Sequence, residues 1–257
     1  MKKRLNIGLF GFGKTGKIVA NELLNNDKIC LQWVVRKTNN DYHKYACHLL
    51  GYEYNAGKIH SIDDIADDFF INNPVEAIID FSNSSGVNLY KKAAYAGTPI
   101  ISAISNYNPH DMDVLQSLSK FAPVLYSPNI TLGINVLIVA AQILQKVIPQ
   151  ADIEIIEEHF REKPDISGTA KKIATVLGLS ADKHINSIRV GGIVGRHEII
   201  FGMQNQTIRL SHESINRAAF AQGALFAVRS IIGKPAGIYT MENIIAEMFR
   251  NNIPIYL

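Results

Sequence analysis

Apolar positions in the first half of the chain come in short runs, separated by segments in which they recur every three or four residues. Residues 5–10 read as a strand, Gly11 to Gly16 as a tight turn, and 17–24 as a helix with Ile18, Val19, Leu23 and Leu24 on its apolar side. Residues 29–35 supply a second strand and complete a strand–helix–strand unit. The alternation continues with a strand at 77–81, a helix at 87–96 stopped by Gly97, and a strand at 99–104. Asn108 caps a helix whose first position is Pro109, and 124–126 form the next strand. Such alternation implies a parallel, doubly wound sheet.

Beyond residue 130 the texture changes. A long apolar segment, 130–148, reads as a buried helix, because Asn135, Gln142, Gln145 and Lys146 are costly in lipid. Residues 153–156 alternate as a strand, and Ser167 can cap a helix over 168–177 closed by Gly178. Three strand-like runs follow at 187–190, 193–202 and 207–212, then helices at 215–232, ended by Gly233, and at 241–249. The expectation is therefore an α/β chain of two domains. Residues 1–129 carry the doubly wound sheet, and 130–216 form an α+β domain with a mixed sheet. Residues 217–257 return to the first domain.

The turn after the first strand reads Gly11-Phe12-Gly13-Lys14-Thr15-Gly16. In a Gly-x-Gly-x-x-Gly turn the first glycine permits the bend, the second lets backbone approach a pyrophosphate, and the third lets helix and strand pack closely. Placed between a strand and a helix, the pattern predicts a dinucleotide site on a Rossmann-type sheet. The acid expected about 20 residues on, at a ribose hydroxyl, is absent. Arg36 and Lys37 stand at the end of the second strand instead. They suit a 2′-phosphate and favour NADPH over NADH, against the alternative of a solvated basic strand end.

A second cluster lies in Glu157-Glu158-His159-Phe160-Arg161-Glu162-Lys163-Pro164-Asp165-Ile166-Ser167-Gly168-Thr169-Ala170. Taken singly, Ser-Gly-Thr is a helix cap and a His beside a Lys is surface decoration. Together, in one short loop, they offer a proton near neutrality, a cation and a helix N-terminus, which suits a small dianion that must be protonated.

Composition narrows the class. With 47% hydrophobic and 19% charged residues, the chain is of ordinary globular composition. A net charge of +3 without a basic, aromatic-interleaved stripe argues against nucleic acid as partner. Cys30 and Cys47 lack metal-ligand spacing, so no metal is expected and a reduced cytoplasm is the simplest location. Met1-Lys2-Lys3-Arg4 precedes an apolar run too short for a signal peptide, and no membrane association is expected.

Both sites, in this order, resemble the 4-hydroxy-tetrahydrodipicolinate reductase (dihydrodipicolinate reductase) family of bacterial lysine biosynthesis. The likeness runs nearly end to end. It takes in the glycine turn, Asp80-Phe81-Ser82, the junction Ser127-Pro128-Asn129-Ile130-Thr131-Leu132-Gly133-Ile134-Asn135-Val136, and Glu157-x-His159-x-x-x-Lys163-x-Asp165 with Ser167-Gly168-Thr169. It continues through Arg189-x-Gly191-x-Ile193-Val194-Gly195-x-His197 and Arg217-x-x-Phe220-Ala221-x-Gly223-Ala224.

The resemblance implies a first domain that binds NADH or NADPH and a second that binds a cyclic dicarboxylate and assembles a homotetramer. It implies that His159 donates or accepts a proton, that Lys163 donates one and holds substrate, and that Ser167, Gly168 and Thr169 hold a carboxylate. It also implies that Ser102, Ala103 and Ile104, and Ser127 to Ile130, lie at the cofactor. Departures are Phe160 for a second His, a shortened Asp165-Ile166-Ser167-Gly168-Thr169, Ser102-Ala103-Ile104 for Gly-Thr-Thr, and Arg36 for an acid. They leave open a paralogue acting on another small cyclic imine or carbonyl acid, and a non-enzymatic NADP-binding sensor.

Overall fold

A computed structural model describes residues 4–38, 41 and 44–254. Its elements begin with β1 (Leu5–Phe10), α1 (Lys14–Leu24), β2 (Ile29–Arg36), α2 (Ala46–Leu49), β3 (Lys58–Ser61), α3 (Phe69–Asn72) and β4 (Ala77–Asp80). They continue with α4 (Lys91–Tyr95), β5 (Ile100–Ser102), α5 (Pro109–Leu118), β6 (Pro123–Tyr126), α6 (Leu132–Val147), β7 (Asp152–His159), α7 (Gly168–Val176) and α8 (Ala181–His184). Last come β8 (Ile185–Arg189), β9 (Arg196–Met203), β10 (Gln206–Glu213), α9 (Ala218–Ile231), β11 (Gly237–Tyr239) and α10 (Met241–Asn252). The chain forms two compact units. The first runs through Ile130 and includes Phe220–Ile244, and the second comprises Thr131–Ala219 and the segment from Ile245 onward.

The first unit holds a seven-stranded sheet in the order β11-β6-β5-β4-β1-β2-β3, with every pairing parallel. Strand order reverses at β1, whose neighbours are β4 and β2. In such sheets the crevice beyond the strand ends at that point is the ligand site. Beneath it an aromatic cluster fixes the layers: Phe10 meets Trp33 and Tyr90 edge-on at 5.6 and 5.3 Å, and Trp33 meets Phe69 at 5.5 Å.

The helix expected over 87–96 is broken. Asn83 caps a 3-10 turn over Ser84–Asn88 by accepting from the Ser85 N–H, and α4 begins only at Lys91. Short polar side chains that bind nearby backbone compete with helix, and here they win. Gly97 still ends α4, at φ +88°. The strand at 99–104 shrinks to Ile100–Ser102, and the Ala103 N–H closes its pairing with β4 by donating to the Asp80 carbonyl at 3.0 Å. Between residues 50 and 76, β3 and α3 have no counterpart in the sequence reading, because four-residue elements are too short to show a period.

The second unit holds a mixed sheet, β10-β9-β7-β8, antiparallel except for the β7–β8 pair. One face packs Ile153, Ile155, Ile199 and Phe201 against α6 and α7. The helix α6 is buried on one side only, through residues such as Ile134, Leu137, Ile138 and Ala141, whereas Val147 is 70% exposed. Among the described residues no helix is long and apolar enough to cross a membrane.

Candidate active site

In the first unit a cavity of about 340 Å³ opens at the ends of β1, β2 and β4. Gly11, Phe12, Gly13, Arg36, Lys37 and Ser82 are among the residues that line it. The three glycines of the turn have three different reasons. Gly11 sits at φ +94°, with a would-be Cβ 2.6 Å from the Phe81 carbonyl oxygen, and a Cβ on Gly16 would lie 2.1 Å from the Gly11 carbonyl oxygen. At Gly13 a Cβ would meet nothing within 4 Å. Gly11 and Gly16 are thus required by packing, while Gly13 leaves its backbone open to a pyrophosphate at the start of α1, a helix that no side chain caps. These residues fit a dinucleotide.

Thr15, Ala103 and Ile104 line a second hollow, which shares Phe81, Ser82 and Asn83 with the first. Ser102 and Ser127 are buried below: the Ser127 N–H donates to the Ser102 carbonyl at 3.0 Å, and Ser127 Oγ donates to the Asn129 carbonyl at 2.9 Å. Lys14, Gly16, Pro128, Asn129 and Ile130 line neither hollow.

The wall at Phe81-Ser82 rests on a group that the sequence reading did not assign. Asp80 is fully buried, and its carboxylate accepts from the Ser82 N–H at 2.8 Å, Ser82 Oγ at 2.6 Å and Tyr90 Oη at 2.9 Å. Burial pushes its pKa up to about 6 against the pull of these donors.

In the second unit the polar site grows out of strand alternation. The core-facing positions of β7 are Ile153, Ile155, Glu157 and His159, and register sets Glu157 opposite His197 of β9 and Ser187 of β8, with His159 opposite Arg189. His159 therefore closes a strand and is 8% exposed, where the sequence reading put it in a loop. It was assigned there because the alternation was followed only to Ile156.

Glu157 organises the cluster. Its carboxylate, wholly buried, accepts from Arg189 Nη1 at 2.9 Å and Nη2 at 2.6 Å, from Ser187 Oγ at 2.6 Å, and from the Ser167 N–H at 3.3 Å. His159 Nδ1 lies 2.5 Å from it. Burial disfavours the charge, yet the donors led by Arg189 outweigh it and hold Glu157 at about 2. An ionised carboxylate can only accept, so His159 carries its proton on Nδ1 and presents Nε2 as an acceptor. Burial lowers the pKa of His159, with the neighbouring Glu157 charge opposing, and Lys163 and Arg189 add to the fall. The ring rests neutral.

Arg189 also staples the following turn, donating from Nε to the Lys163 carbonyl at 3.0 Å and from Nη2 to the Asp165 carbonyl at 2.9 Å. Ser167 caps α7 by accepting from the Ala170 N–H at 3.4 Å, and its Oγ lies 2.9 Å from His197 Nε2. His197 and His159 meet edge-on at 5.3 Å, and burial pushes His197 down to about 3. The structure thus brings His159, Lys163 and Ser167, with Gly168 and Thr169 behind it, to one end of the sheet. Phe160 is 37% exposed and brings no donor there, and His197, the other imidazole, is engaged by Ser167.

Two family descriptions match the chain: "Dihydrodipicolinate reductase, N-terminus" over residues 5–130 and "Dihydrodipicolinate reductase, C-terminus" over residues 133–245. The chain belongs to the dihydrodipicolinate reductase family. Among its relatives is the 4-hydroxy-tetrahydrodipicolinate reductase of Caldanaerobacter subterraneus subsp. tengcongensis, 34% identical over 194 residues that cover 67% of this chain and 77% of the relative. The enzyme of that name from Buchnera aphidicola subsp. Schizaphis graminum is 27% identical over 277 residues, 97% of this chain and the whole of the relative. A solved dihydrodipicolinate reductase from Paenisporosarcina sp. TG-14, bound to dipicolinate, shares the fold at a TM-score of 0.75 and 19% identity, covering 94% of this chain and 99% of that one. Membership makes the chain an NAD(P)H-dependent oxidoreductase.

Proposed function

We propose that this protein reduces 4-hydroxy-tetrahydrodipicolinate to tetrahydrodipicolinate with NAD(P)H, as a cytoplasmic homotetramer serving lysine and diaminopimelate biosynthesis. The observation that carries the reading is the neutral His159, locked by ionised Glu157 and set beside Lys163 and the capped start of α7. A sensor that only bound nucleotide has no use for such a group.

The reaction takes up one hydride and one proton and releases the 4-hydroxyl group as water. Bound nicotinamide supplies the hydride. The 4-hydroxyl and a proton from the adjacent ring carbon must leave first as water, which brings the carbon that bore the hydroxyl into conjugation with the imine; hydride delivered there would then move electron density onto nitrogen, which must be protonated. Lys163 supplies that proton from its ammonium group. His159, neutral with an open Nε2, accepts or returns a proton within the same site. Ser167, Gly168 and Thr169, at the N-terminus of α7, hold one substrate carboxylate, and Lys163 attracts the dianion.

Gly11 to Gly16, Arg36 and Lys37, residues 102–104 and residues 127–130 are assigned to the cofactor, with NADPH favoured by the two cations. The outer face of the second unit's sheet, with Ile156 and Ile200 half-buried and Ile188 43% exposed, supports assembly through that sheet.

The test is steady-state NADPH oxidation with the imine present. Lys163→Ala and His159→Ala should each lower turnover by roughly 100- to 10,000-fold and leave NADPH affinity nearly intact. Near-normal turnover in both variants would remove the proposed proton path. Dipicolinate, as a planar mimic, should compete with substrate in the parent protein.

A further inference from the structure

The basic end of β2 is not purely basic. Arg36 Nη1 is paired with a carboxylate oxygen of Asp41, whose other oxygen lies 3.3 Å from Lys44 Nζ. Arg36 and Asp41 are shielded, at 20% and 21% side-chain exposure, whereas Lys44 is 56% exposed. The shielded Arg36 lines the cofactor cavity together with Lys37 and Thr38, and Asp41, which is not itself in the lining, is tied to that wall through the Arg36 guanidinium.

This position has a chemical meaning. A nucleotide with an unmodified ribose offers a 2′-hydroxyl that needs an acceptor, and the acid that usually accepts it at the end of the second strand is Arg36 in this chain. A nucleotide with a 2′-phosphate offers a dianion that needs cations and is repelled by any acid. Arg36 and Lys37 supply the cations, and Asp41 supplies an acid five residues later, returned to the same rim by its bond to the Arg36 guanidinium.

The geometry points to Asp41 as the residue that sets the NADH to NADPH ratio: its carboxylate accepts from the ribose 2′-hydroxyl of NADH, and a 2′-phosphate must displace it from Arg36. The inference rests on the cofactor reading above and deepens it. One rim thereby serves both nucleotides through a single exchange of Arg36 partners, from Asp41 to phosphate. Asp41 thereby tempers the preference for NADPH that Arg36 and Lys37 set, by giving the unmodified ribose an acceptor and the 2′-phosphate a competitor.

Asp41→Asn keeps the size of the side chain and removes its charge, and Asp41 lies outside the sheet, so the fold should survive. The expected result is a fall of about tenfold in kcat/KM for NADH, the scale of one partly solvated hydrogen bond to a charged acceptor. For NADPH kcat/KM should be unchanged or raised several-fold.

A second readout needs no turnover: calorimetric Kd values should weaken for NADH and ADP-ribose and stay unchanged or tighten for NADPH and 2′-phospho-ADP-ribose. An unchanged NADH to NADPH ratio, which includes an equal loss for both nucleotides, overturns the assignment, and so does a shift toward NADH. A gain for NADPH with NADH unaffected would also overturn it, because Asp41 would then only neutralise Arg36. If the parent protein binds both nucleotides but does not turn over the imine, the substrate reading fails while the binding measurements still decide the role of Asp41.

Discussion

Replacing Glu157 with Gln tests the organising group of the substrate-side cluster. The change keeps shape and one acceptor but removes the charge, and it sets an amide N–H among groups that all donate: Arg189, Ser187, His159 Nδ1 and the Ser167 N–H. Holding the carboxyl at about 2 instead of the usual 4.5 is worth about 3 kcal/mol to the folded state. The sign follows from the direction. That stability is fully present above about pH 4.5 and is lost as pH falls through about 2.

Seen from the partner, stripping the counter-charge from a buried ion pair costs about 3–5 kcal/mol, reduced here because the Arg189 side chain is 20% exposed. The two figures describe one interaction and are not added. Urea unfolding at pH 7 should show a loss of about 3 kcal/mol, which for a chain of this size is roughly 6–12 °C in Tm.

A purely structural role would end there, so the deciding assay is the pH profile of kcat/KM. Glu157 opposes the burial-driven fall in His159 pKa. Without its charge, the limb that reports His159 should move to lower pH, and turnover should fall because Nδ1 no longer has to keep the proton. A Gln variant with parental stability to within about 1 kcal/mol and an unmoved profile would refute this account.

His197 should make the protein sensitive to mild acid. Its folded pKa, about 3, lies below the usual 6.5, so the unfolded chain binds the proton first and stability falls as pH drops from 6.5 toward 3, by about 2 kcal/mol at pH 5. Urea midpoints of the parent and of His197→Gln at pH 7 and pH 5 check this, the variant showing the smaller decline. Phe160→His restores a donor beside the site and should keep activity while lowering KM, by up to about 1.5–3 kcal/mol of carboxylate binding. A loss of activity would instead mean that Phe160 packs against an apolar part of another substrate.

Much of this was legible from periodicity. The parallel sheet and the Asn108 and Ser167 caps depend on spacings of a few residues and appear where the pattern puts them, whereas the glycine turn is shorter than expected, because α1 already begins at Lys14. Glu157 was legible in principle: continuing the alternation of Ile153 and Ile155 by two more steps sets Glu157 and His159 on the core face and Glu158 outside. Arg189 was not. It reaches Glu157 across 32 residues through a β7–β8 register that no local pattern encodes. Asp41 escaped for a different reason, since a ribose acid is sought at the end of β2 and this one returns to the rim through a side-chain bond.

The substrate-side cluster also explains how a dianion can be held without the donor that Phe160 lacks. The Arg189 charge is spent on Glu157, and His159 and His197 are held neutral by burial, so the fixed groups around the end of β7 nearly cancel. Lys163 is then the one full positive charge of the assigned substrate set, and the start of α7, with no acidic residue in its first turn, adds a partial one. A second neutral imidazole would add a hydrogen bond but no charge. The substitution at Phe160 therefore weakens orientation more than attraction, and its effect belongs in KM. Lys163, to which the proposed mechanism gives both attraction of the dianion and donation of the proton, should show its loss in kcat and KM together.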